Sequence, residues 1–123
     1  MAIDGIGIDS VEVARIKSAI EKYGRRFKDR VFSKSEQSFC ETRIGKYLSY
    51  AARFAAKEAF SKALGTGLRG KISWQDIVVI DNENSPPKLE INGKAMVKLN
   101  NRKTHLSVSH TEQYASAIVI IEE

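Results

Sequence analysis

A single α+β domain over residues 1–123, with helices mainly in the first half and an antiparallel sheet, is predicted by three observations. Apolar residues recur at helical spacing between residues 11 and 64, and at alternate positions after Gly70. Helices gathered before strands, and not interleaved with them, mark that class. The 123 residues have 42% hydrophobic content and no internal repeat, low-complexity tract or linker, which suits one compact core.

The elements follow in order. IDGIGID (3–9) reads as a short glycine-punctuated strand. A helix from about Val11 to Tyr23 comes next, where Val11, Ala14, Ile16 and Ile20 alternate with Glu12, Arg15, Lys17 and Glu21, and Tyr23-Gly24 ends it. RRFKDRVFSKSEQSFCETR carries a second helical segment starting near Ser35, with Ser33 or Ser35 as its cap. The third and longest helix runs from about Gly45 to Leu64. ISWQDIVVI (72–80) and PKLEING (87–93) are strand-like runs joined by the turn-rich DNENSPP. A short helix around Lys94 to Leu99 precedes a final hairpin, THLSVSH (104–110) and YASAIVIIE (114–122), turning across TEQ.

Bulk properties narrow the function. The net charge of +5, from 20 basic and 15 acidic residues, favours an acidic partner without choosing among nucleic acid, anionic lipid, a phosphorylated ligand and an acidic protein. The single cysteine, Cys40, excludes an internal disulfide and a multi-cysteine zinc site. Its amphipathic setting, QSFCETR, favours a buried inert thiol over a nucleophile. No apolar run reaches bilayer-spanning length and the N-terminus lacks a signal-peptide pattern, so a soluble cytoplasmic setting without a membrane partner is expected. So small a chain has little room for a deep private cleft, which directs attention to subunit boundaries.

The third helix poses the sharpest question. On a wheel of about 100° per residue, Ile44, Tyr47, Leu48, Ala51, Phe54 and Ala55 form one apolar stripe, with Lys46, Arg53 and Lys57 facing solvent. Glu58 and Lys62 fall inside the stripe. Either the last turn projects into water with an ordinary i,i+4 ion pair, or a buried carboxylate there needs a metal, a partner cation or a raised pKa. Asp9 ends the first strand, sharing a face with Gly5 and Gly7, which leave the backbone open to another chain or a ligand. Asp9 also has capping-box spacing to Glu12, so an N-cap role is the first expectation, compatible with ligation by its second oxygen. Two carboxylates from separate elements could hold one hard divalent cation with open positions for phosphate, and a nearby lysine would meet the same phosphate. His110 closes LSVSH at a strand end, with a functional or a structural hydrogen-bonding role open, while His105 has the opposite parity and is expected at the surface.

GIGIDSVEVARI, RFAAKEAFSKALGTGL and LSVSHTEQYASAIVI, in that order, resemble the holo-[acyl-carrier-protein] synthase family, the small bacterial 4′-phosphopantetheinyl transferases. RVFSKSE, the tryptophan of ISWQDI and SPPKLEINGKA sit in the expected order between them, so the resemblance covers essentially the whole chain. Its most specific element is Asp9 of GID followed by Lys57-Glu58-x-x-x-Lys62; Ser10, where an apolar residue is commoner, is a mild departure.

The resemblance implies a 4′-phosphopantetheinyl transferase fold assembled as a homotrimer, with active sites at subunit interfaces. It implies transfer of the 4′-phosphopantetheine arm of coenzyme A to a serine of apo-acyl carrier protein, releasing adenosine 3′,5′-bisphosphate, in the service of fatty acid biosynthesis. Asp9 and Glu58 match the magnesium-binding acids, and Lys62 the phosphate-contacting lysine. Gly65, Thr66 and Gly67 match a loop beside the adenosine end of coenzyme A; Ser109, His110 and Thr111 match a segment near the nucleotide. Arg15 matches a position that meets the acidic carrier protein, with Lys22 and Arg25 as its companions. In that scheme Mg²⁺ neutralises the pyrophosphate, Lys62 stabilises the leaving phosphate, and Glu58 or a water at the metal takes the serine proton. The basic first helix would steer the carrier protein, so association is expected to weaken as salt rises. A silent scaffold of the same fold is argued against by the intact Asp9, Glu58 and Lys62. A nucleic-acid-binding module lacks an RNP-like strand, a zinc signature or a recognition helix.

Overall fold

The computed structural model describes residues 2–68, 72–82 and 84–123. Gly70, where the pattern changes period, and Glu83 of the expected turn lie outside them. Strand β1 (Ile3–Glu12) leads into α1 (Val13–Tyr23), α2 (Arg25–Val31), α3 (Lys34–Glu41) and α4 (Lys46–Leu64). A 3₁₀ turn (Trp74–Asp76) then opens β2 (Ile77–Asn82), followed by β3 (Ser85–Ile91), α5 (Gly93–Leu99), β4 (Lys103–His110) and β5 (Tyr114–Glu122). All strand pairs are antiparallel, but they form two sheets where one was expected: β1-β5-β4, and a separate β2-β3 hairpin.

The long helix lies against β1 and β5. Alternation on β5 turns Ala115, Ala117, Val119 and Ile121 inwards. On α4 the facing residues are Ala55, Ala59 and Ala63, and on β1 they include Gly5 and Gly7. Small residues on both sides let the helix axis come unusually near the sheet. A Cβ on Gly7 would sit 1.9 Å from the Ala59 carbonyl oxygen, and one on Gly5 would sit 2.0 Å from that of Ala63. The neighbour these glycines admit is therefore the chain's own helix; the expectation of another chain or a ligand there is corrected.

Other boundaries moved for local reasons. The first strand continues three residues past Asp9, because Ser10, Val11 and Glu12 still pair with Ser116, Ala115 and Tyr114. Helix α1 consequently starts at Val13, and its N-cap is Glu12, so Asp9 is no cap. Of the two serines proposed as caps, Ser33 holds the position, in a reciprocal capping box with Glu36. Helix α2 was not foreseen, since its seven residues are too few to show a periodic face. The strand expected at 72–80 begins only at Ile77, after the 3₁₀ turn, and β3 starts at Ser85 to include both prolines.

Cys40 is fully buried on α3, and burial pushes its thiol up to about 12. The native protein is expected to resist a thiol-directed colorimetric reagent at neutral pH and to react only in denaturant; fast labelling of the folded chain would contradict this. Among the described residues no helix is long and apolar enough to cross a membrane.

Candidate active site

The helical wheel misjudged which charges of α4 are inside. Lys57 and Arg53, assigned to solvent, are buried, whereas Lys62 is exposed, Glu58 is half-buried and Ile44 lies fully in the open just before the helix. The reason is that α4 has neighbours on more than one side. Its alanine edge meets the sheet, and the edge carrying Lys57 meets α2, α3 and the Trp74 turn. A wheel that presumes one core face and one solvent face fails for such a helix.

Lys57 accordingly works as an internal strut. Its ammonium donates to the Val31 carbonyl at 2.7 Å, the Trp74 carbonyl at 3.2 Å and Glu36 Oε1 at 2.7 Å. Burial pulls its pKa down, and the Glu36 carboxylate opposes that pull. Glu36 also accepts the Ser33 N–H and the Val79 N–H, each at 2.8 Å. This one pair thereby ties α4 to α2, α3 and β2.

The neighbouring face of α4 meets β1. Gly5 lies against Ala63 and Gly7 against Ala59, so β1 runs backwards along the helix. Asp9, the next residue on that strand face, therefore lies further from the helix's C-terminal end, and the Lys62 side chain reaches back to meet it. The Lys62 ammonium donates to Asp9 Oδ1 at 3.2 Å and to the Ile8 carbonyl at 3.0 Å. The Asp9 side chain is 17% exposed and that of Lys62 51% exposed, so the contact borders solvent. Glu58 sits one turn upstream of Lys62.

These residues suit a hard divalent cation. The donors are carboxylate oxygens, and Asp9 already holds a positive group, the Lys62 ammonium, on one of them. Among the described residues no cluster of three or more histidine, cysteine, aspartate or glutamate side chains occurs. A cation here would therefore complete its shell with water or substrate oxygens, as Mg²⁺ tends to.

Helix α4 ends in Gly65, which takes the left-handed conformation with φ 87°. The N–H groups of Gly65, Thr66 and Gly67 all donate to the Ser61 carbonyl, folding the loop tightly over the helix end. Thr66 Oγ1 is buried and has no hydrogen-bond partner among the described residues. A buried hydroxyl in that condition is a polar group waiting for a ligand atom or a water.

Ser109, His110 and Thr111 do not join this cluster. They are exposed at the end of β4, with β5 between them and β1. Thr111 Oγ1 accepts the Gln113 and Tyr114 N–H groups, which shapes the hairpin turn. His110 instead borders a cleft of about 280 Å³ that sequence reasoning missed. Arg43 and Arg53 line it, both stacked on the Phe39 ring at 4.1 Å and 4.4 Å, and Arg53 is paired with Asp81. The density of arginine and lysine before α4 was the only available signal. His105 is exposed as expected, and contacts Glu122 at 3.1 Å.

Arg15, Lys22 and Arg25 are all exposed along α1 and the start of α2. A second cleft, of about 260 Å³, adds Arg26 and Arg30 beside the rings of Tyr23 and Phe27. The stretch RRFKDR carried this information in its basic density, but not its grouping around two aromatics.

The chain is thus a small α+β domain with an aspartate–lysine contact between β1 and α4. Residues 5–119 match the family model of the 4′-phosphopantetheinyl transferase superfamily. A holo-[acyl-carrier-protein] synthase of Koribacter versatilis is 46% identical over 97% of this chain and 98% of its own length. That of Chloroherpeton thalassium is 43% identical over 95% and 96%. Among solved structures, the synthase of Neisseria meningitidis superposes with a TM-score of 0.89 at 32% identity, covering 99% of this chain and all of that one. The Helicobacter pylori synthase in complex with coenzyme A gives 0.86 at 32% identity, covering 95% and 99%. The chain belongs to the holo-[acyl-carrier-protein] synthase family of this superfamily, and it is an enzyme.

Proposed function

We propose that this chain transfers 4′-phosphopantetheine from coenzyme A to a serine of apo-acyl carrier protein, releasing adenosine 3′,5′-bisphosphate. The observation that carries the reading is the meeting of Asp9 and Lys62 across the β1–α4 contact, beside Glu58 on the same helix. Asp9 and Glu58 are the residues that would hold Mg²⁺, which when bound would neutralise pyrophosphate charge. The serine oxygen attacks the phosphorus that bears the pantetheine arm. The bond from that phosphorus to the nucleotide's bridging oxygen breaks, and Lys62 stabilises the leaving phosphate. Glu58 is the carboxylate suited to take the serine proton. The buried Thr66 hydroxyl and the arginine cleft at His110 supply polar and cationic groups for the nucleotide. The basic face of Arg15, Lys22, Arg25, Arg26 and Arg30 suits an acidic carrier protein.

A homotrimer with shared sites accords with this reading. The outer face of the three-stranded sheet leaves Ile6, Ile8 and Ile118 59%, 64% and 36% exposed, an apolar patch of the kind that partners cover.

The test is mass spectrometry of an apo-acyl carrier protein incubated with this chain, coenzyme A and Mg²⁺, beside a chelator control and Glu58→Gln. A phosphopantetheine mass gain is expected with wild type and metal, slowed about 100-fold or more in the variant. No gain across several carrier proteins would favour the silent scaffold. A gain undiminished in Glu58→Gln would reduce Glu58 to a helix ion-pair residue.

A further inference from the structure

Lys62 makes a choice that an exposed lysine need not make. With its side chain 51% exposed, it could extend into water. Instead its ammonium turns onto β1 and uses two of its three donors, one on Asp9 Oδ1 at 3.2 Å and one on the Ile8 carbonyl at 3.0 Å. That leaves one donor for anything else.

We propose that Lys62 is a placeholder cation for Asp9, displaced when a divalent ion takes the carboxylate and thereby freed to meet substrate phosphate. The inference rests on the transferase reading above. Its physical basis is like-charge repulsion: an ammonium on Asp9 Oδ1 and a divalent ion on the same carboxylate would stand only a few ångströms apart, where they repel strongly. Without phosphate, an ion on the second oxygen is held weakly beside that ammonium, and full binding requires the lysine to give up its two hydrogen bonds. With a pyrophosphate present, the displaced ammonium gains a better partner, and that penalty disappears. Metal and phosphorylated substrate then bind cooperatively, and linkage makes the effect reciprocal. Lys62 is thus a positioning residue for the metal before it touches the substrate.

The test is Mn²⁺ binding to the full chain by electron paramagnetic resonance, with and without coenzyme A, for wild type and Lys62→Met. The variant is expected to bind Mn²⁺ about tenfold tighter than wild type in the absence of coenzyme A, within the usual range of coupling between sites. The enhancement that coenzyme A brings should shrink by a similar factor. In wild type, the side-chain ¹⁵N signal of Lys62, assigned by its loss in the variant, should move when Mg²⁺ alone is added. Equal or weaker Mn²⁺ binding by Lys62→Met without coenzyme A would overturn the proposal, as would a Lys62 signal indifferent to Mg²⁺. Carrier-protein modification measured on the same wild-type sample separates the two failures. Transfer without the coupling sinks only the placeholder role, whereas no transfer sinks the reading beneath it.

Discussion

Lys57→Met is expected to lower the stability of this protein by about 3–5 kcal/mol, the usual cost of removing one partner from a buried ion pair. Lys57 and Glu36 are 0% and 1% exposed. With the ammonium gone, Glu36 Oε1 keeps only the Ser33 N–H, while the Val31 and Trp74 carbonyls lose their lysine donor. The thioether fills the space but cannot replace any of the three hydrogen bonds. Urea denaturation followed by circular dichroism measures the loss. The double variant, Lys57→Met with Glu36→Gln, should be more stable than the sum of the two single changes predicts, because it leaves no lone buried charge. A single-variant loss below about 1 kcal/mol would show that the pair is no more than a surface-like contact.

Gly7→Ala is expected to cost about 3 kcal/mol and to depress transfer further still. The new Cβ would lie 1.9 Å from the Ala59 carbonyl oxygen and 2.6 Å from the Ala63 nitrogen. Both are backbone atoms of α4, so no side-chain rotation relieves the clash. The helix must move away from β1 as a body. That shift widens the gap between Asp9 and Lys62, and a displacement of about 1 Å at a catalytic group can cost about 100-fold in rate. Denaturation midpoints and the carrier-protein mass assay, run at a temperature where the variant remains folded, separate the two effects. Full stability and full activity in Gly7→Ala would refute the close-approach account.

Much of the fold was legible because it depends on residues near one another in sequence. Ser33 and Glu36 stand three apart and form their capping box wherever the rest of the chain lies. The alternation of YASAIVIIE marks β5 residue for residue, and the change from helical to alternate spacing separates the two halves. The ordered motif blocks singled out Asp9 and Lys62 as members of one candidate site, and the two do meet across β1 and α4. What misled was the assumption that α4 has a wet side. Arg53 and Lys57 carry charge, and charge usually marks solvent, yet each has a fixed acidic partner supplied by a distant segment: Asp81 for one, Glu36 for the other. The arginine cleft beside His110 was hidden for the same reason, since its walls come from α3, α4, β2, β3 and β4.

The sequence by itself determined the class of domain, the type and rough span of most elements, the inert cysteine and the family. These follow from periodicity, capping and motif order, which act over a few residues or survive as a linear pattern. Only the tertiary structure decided that the strands divide into two sheets, that β1 runs through Asp9 to Glu12, and that Arg53 and Lys57, not Glu58, are the buried charges of α4. It also decided that the cation on Asp9 is Lys62. Burial and pairing are properties of what packs against a residue, and for α4 those neighbours lie from seventeen to more than fifty residues away along the chain.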